Sequence, residues 1–139
     1  MTEPSTRISK VIPLIAIGAW LLIVSCQDTK TVWSSEVRSP DGYWLASAST
    51  VAHYGPGTAG AESSVYLKHI HDSSSPLLIL GFFHHEKSLS STINLTMKWE
   101  TPTHLAVTYD GRAASLEFQA VKCGGVDISV RDLSNETAK

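Results

Sequence analysis

The segment Thr92–Trp99, TINLTMKW, alternates strictly: Ile93, Leu95, Met97 and Trp99 fall on one side, and Thr92, Asn94, Thr96 and Lys98 on the other. A period of two is the mark of a strand with one face buried and one face wet. The same period recurs in HLAVTY, where Leu105, Val107 and Tyr109 alternate with polar or small residues. Pro102, which lacks an N–H to donate, separates these two runs. Asp110-Gly111 then predicts a hairpin turn into SLEFQAV, with Leu116, Phe118 and Ala120 on one side. Gly124-Gly125 interrupts the pattern, and Val126, Ile128 and Val130 form the inward set of VDISV. Upstream, TVWSSEV and YWLASASTV read as strands joined by Ser39-Pro40-Asp41-Gly42, and SVYLKHI and LLILGFF as strands joined through DSSSP.

No stretch beyond residue 25 carries a helical stripe. The pattern therefore predicts an all-β domain: a small antiparallel β-sandwich or blade-like sheet of about 7–8 strands. It is preceded by an N-terminal hydrophobic signal helix, because residues 11–25, VIPLIAIGAWLLIVS, contain no charge and follow Arg7 and Lys10. Length separates a signal from a spanning helix. Fifteen helical residues reach roughly 22 Å, against a hydrocarbon core of about 30 Å. A secretory signal core has about 7–15 apolar residues. A single-pass signal anchor without lipid is the competing reading.

The stretch ends on Ile23-Val24-Ser25-Cys26. In order, these are an aliphatic residue, a small or aliphatic residue, a small residue and a cysteine, and the chain here resembles bacterial lipoprotein precursors. That resemblance implies cleavage between Ser25 and Cys26, covalent diacylglycerol and acyl chains on Cys26, and no other cofactor. Each buried methylene contributes about 0.8 kcal/mol, so several chains on one residue hold a protein on a membrane essentially permanently. Gln27 stands where aspartate marks inner-membrane retention, which implies the outer membrane in a Gram-negative host. The organisation expected is signal peptide 1–25, lipidated cysteine and tether 26–31, β-domain 32–133 and polar tail 134–139. With Cys26 lipidated, Cys123 has no partner within the chain and reads as a small apolar residue at a strand end.

SPDGYWLASAS followed by SVYLKHI also resembles blade repeats of Tol-type and WD-like propellers, and LTMKWETPTHLAVTYDG echoes the design. The 114 residues after position 25 hold about two blades, whereas a propeller needs at least four. The layout is similar to that of small secreted bacterial β-domains, and it implies a stand-alone domain built from blade-like hairpins.

Net charge is −2, and without the leader it becomes −3, because two of the 11 basic and one of the 13 acidic residues are removed. No basic face is available for nucleic acid. Hydrolase and phosphate-loop motifs are absent, so the chain is not expected to be an enzyme. Two histidine pairs stand out: His69 and His71, about 7 Å apart on one strand face, and His84 and His85 at the end of the next strand. Together they form a candidate zinc or copper cluster, although zinc calls for three or four converging ligands. HYGPGTAGAESS, residues 53–64, reads as the longest loop, and Tyr54, Gly55, Gly57 and Gly60 are its candidate contact residues. Trp33, Trp44 and Trp99 read as core or rim aromatics. The function expected is a membrane-anchored envelope lipoprotein whose β-domain acts as a binding or structural module for an envelope protein, with envelope metal binding as the alternative.

Overall fold

The computed structural model describes residues 28–55, 60–84, 93–112, 114–134 and 136. They form nine strands and no helix: β1 Asp28–Arg38, β2 Trp44–Tyr54, β3 Gly60–His69, β4 Leu77–His84, β5 Thr96–Thr101, β6 His104–Tyr109, β7 Ala114–Gln119, β8 Lys122–Cys123 and β9 Val126–Asp132. Five strands make one sheet in the order β1-β2-β3-β4-β7, and four make a second in the order β5-β6-β9-β8. Residues 1–25, expected as a signal peptide, and Cys26, expected as the lipidated residue, lie outside the described residues, as do Gly57 and His85.

Alternation builds the core. In β2 the inward residues are Ala46, Ala48, Thr50 and Ala52, and in β3 they are Ala61, Ser63, Val65 and Leu67. Ile93, Leu95, Met97, Trp99, Leu105, Val107, Tyr109, Val126 and Ile128 join Ala46, Ala48, Val65 and Leu67 in one buried cluster. Phe82 and Tyr109 bring their rings to 4.8 Å across the two layers. Trp99 is 9% exposed and donates from Nε1 to the Val37 carbonyl at 3.2 Å, tying β5 to β1.

The first hairpin follows its turn chemistry. Gly42 N donates to Ser39 O at 2.9 Å, with Pro40 at the second turn position and Gly42 at φ 79°. Ser39, 3% exposed, caps the turn twice: its Oγ donates to Asp41 Oδ1 at 2.5 Å and accepts from Trp44 N at 2.9 Å.

Four sequence expectations need correction. Asp110-Gly111 does not close a hairpin. β6 already has β5 on one side and β9 on the other, so β7 crosses to the first sheet and pairs with β4. The β6–β9 pair is parallel, so the architecture is not wholly antiparallel. In β7, Leu116 faces Phe82 while Phe118 faces Gly81, which leaves Glu117 as a bulge. That shift turns Phe118 to the outer face, where it is 47% exposed, while Leu116 stays against the core. Finally, residues 28–31, expected as tether, are the first residues of β1 and pair with Tyr54, His53, Ala52 and Val51.

Candidate functional site

Two places concentrate chemistry, and they lie at different heights of the first sheet. The upper one grows from the two hairpin turns. Tyr43 and Trp44 leave the β1–β2 turn, and His69 ends β3 directly opposite Trp44. The His69 ring stacks on Tyr43 at 6.0 Å, meets the Trp44 edge at 4.9 Å and lies 6.2 Å from His71. Tyr43 is 51% exposed, so this aromatic–histidine platform faces solvent. Beside it opens a cavity of about 320 Å³ lined by Trp44, Leu67, His69, Asp72, Leu77 and Gly124, among others. Gly124 has φ 58°, and a Cβ there would stand 2.5 Å from the Trp44 ring, so glycine both makes the turn and admits the indole.

Electrostatics at the platform are mild. The Ser39 hydroxyl, backbone N–H groups and the His69 ring hold the Asp41 carboxyl below its ordinary range. His69 Nδ1 is buried and has no hydrogen-bond partner.

Among the described residues, the candidate histidines do not gather at one point. Leu77 pairs with Leu67, while His84 pairs with Ala114 seven residues further along β4, roughly 20 Å from the His69 end. His69 and His71 are thus separated from His84, and among the described residues no three His, Cys, Asp or Glu side chains are placed to hold an ion. Tyr54 ends β2 and Gly60 begins β3, with His53 paired to Gly60, so residues 53–54 and 60–64 of the expected long loop belong to strands. Alanine and serine on the inward side of β3 read as loop composition, yet their small volume is what that layer accommodates. Cys123 is half-buried in β8, packs on the core and is a free thiol.

The lower place was missed from sequence. Thr50, Ser63 and His84 form a hydrogen-bonded chain across the inner face of β2, β3 and β4. Thr50 Oγ1 to Ser63 Oγ is 2.5 Å, and Ser63 Oγ to His84 Nε2 is 2.8 Å. Their exposures are 7%, 1% and 4%, so all three are interior. A serine within reach of an imidazole is the geometry of an activated nucleophile. Ser63 is 1% exposed, so its oxygen is closed off from solvent in this structure. The legible signal was the alternation itself, which puts Thr50 and Ser63 on the same side as Ala48 and Val65. Thr50 also forms one wall of a cavity of about 270 Å³, completed by Trp33, Ile93, Asn94, Leu95 and Thr96.

A third surface, on the outer face of the five-stranded sheet, exposes Leu78, Phe83 and Phe118 around Gly81.

The class defined by these observations is a two-sheet all-β domain with an exposed aromatic–histidine end and an inter-sheet cavity. Comparison with known protein families, curated proteins and solved structures gives no match to this chain.

Proposed function

We propose that the chain is a lipid-tethered module of a bacterial cell envelope that binds a partner protein through its Tyr43–Trp44–His69–His71 end. The single observation behind this reading is the spacing between lipid box and fold. Cys26 is two residues before Asp28, where β1 begins. Acylation at Cys26 then leaves almost no slack between membrane and sheet. The 11 residues of β1 advance roughly 35 Å toward the Ser39–Gly42 turn. Tyr43 and its neighbours thereby become the end furthest from the bilayer, where a half-exposed tyrosine, an indole and two imidazoles suit a protein interface rich in aromatic contacts.

Metabolic labelling with palmitate in a bacterial host tests the tether. Wild-type protein takes up label and Cys26→Ala does not. An unlabelled wild type, or a labelled Cys26→Ala protein, removes the basis of the reading.

A further inference from the structure

The seam between the two edge strands β1 and β5 carries features that packing alone does not require. A bulge at Val32 shifts the phase of β1, because Thr31 faces Val51 but Trp33 faces Thr50. Bulges re-aim side chains, and this one turns Trp33 inward beside Thr50. Asn94 holds φ 46°, a left-handed backbone that a non-glycine residue adopts at a cost. Both residues line the same 270 Å³ cavity, as do Ile93, Leu95 and Thr96. Cavities of about 150 Å³ with apolar walls already admit a benzene ring.

Of the three polar residues in this lining, Asn94 and Thr96 are exposed, and Thr96 Oγ1 is bonded to Thr108 Oγ1, whereas Thr50 is buried beside the apolar wall. A hydroxyl carries one proton to donate and two lone pairs. If His84 Nε2 accepts, Ser63 donates to it and Thr50 donates to Ser63, which leaves the Thr50 oxygen able to accept from the cavity. If Nε2 carries the proton, the chain reverses and Thr50 has a hydrogen to donate into the cavity. In either sense Thr50 keeps capacity, because its bond to Ser63 is the one side-chain hydrogen bond made by Oγ1 among the described residues. A ligand hydroxyl both donates and accepts, so it satisfies Thr50 in either arrangement.

We infer that the β1–β5 seam is a binding site for a small ring compound bearing one hydroxyl group, its ring among Trp33, Ile93 and Leu95 and its hydroxyl on Thr50 Oγ1. This site is separate from the platform and does not depend on the lipid tether.

Phenol and benzene form the matched probe pair, and the full chain in phospholipid nanodiscs is the sample. Titration followed by ¹H–¹⁵N NMR reads the Trp33 indole and Thr50 amide signals. Phenol is expected to shift them saturably and to bind about 3- to 10-fold more tightly than benzene, the factor that one neutral hydrogen bond supplies. Thr50→Val removes that preference while benzene still binds, and Thr50→Ser restores it. Absence of saturable shifts in the wild type overturns the site. A phenol preference that survives in Thr50→Val overturns the role given to the hydroxyl.

Discussion

Gly124 and Gly125 form a matched pair of turn residues with different surroundings. Both have positive φ, but a Cβ at Gly125 meets open space, whereas one at Gly124 meets the Trp44 ring. Gly125→Ala therefore carries backbone strain alone, about 1 kcal/mol. Gly124→Ala adds displacement of the indole and costs about 2–4 kcal/mol, read by urea unfolding. The acidic turn makes a second residue-scale prediction. Arg112 donates to both carboxylate oxygens of Asp110 and lowers its pKa from 3.8 to about 2. Hydrogen bonds from Ser134 N and Gly111 N hold Asp132 low as well. Because both folded values lie below the ordinary one, each contribution is present above the ordinary carboxylate value and is lost as pH falls, that of Asp110 as pH passes through about 2. Thermal midpoints across that window should drop, and Asp110→Asn should flatten part of the decline.

At the scale of elements, burial and bulges decide what each strand contributes. Phe118 and Leu116 are two positions apart on β7, yet the Glu117 bulge puts them on opposite faces. Urea unfolding should find Phe118→Ser within about 0.5 kcal/mol of wild type. Leu67→Ala, fully buried in β3, should cost about 2–5 kcal/mol. Strand existence and inward sets were readable for β5, β6 and β9 because Leu95, Met97, Leu105, Val107, Val126 and Ile128 keep an unbroken period of two, and all are buried. The SPDG turn was readable because Pro40 and Gly42 each have one conformational use there. Partner choice was not readable. Nothing local in Asp110-Gly111 tells β7 that β6 is occupied on both edges, since β9 comes later in the chain. The same holds for the Thr50–Ser63–His84 chain, whose members are 13 and 21 residues apart and meet only once β2, β3 and β4 are in register. Of the platform, His69 and His71 were visible as a pair, but their packing on Tyr43 and Trp44 depends on the β2–β3 register.

At the scale of the whole molecule, the start of β1 at Asp28 and the Tyr43–His69 platform lie at opposite ends of the first sheet. Tyr54 pairs with Asp28 at the end that follows Cys26 in the chain, while Tyr43 sits at the far turn, so the proposed tether sets 54 close to the bilayer and 43 away from it. In a Cys123→Ser background, with the protein lipidated in vesicles, fluorophores placed at Tyr54→Cys and Tyr43→Cys should respond differently to quenchers carried on lipid headgroups. Strong quenching at 54 and weak quenching at 43 fit the upright arrangement; equal quenching means that the domain lies flat. The central claim is the covalent tether itself, and the intact mass of protein extracted from host membranes tests it most directly. The account predicts a chain beginning at Cys26 and carrying diacylglycerol and acyl mass on that residue. A chain beginning at Met1 with an unmodified Cys26 would contradict it.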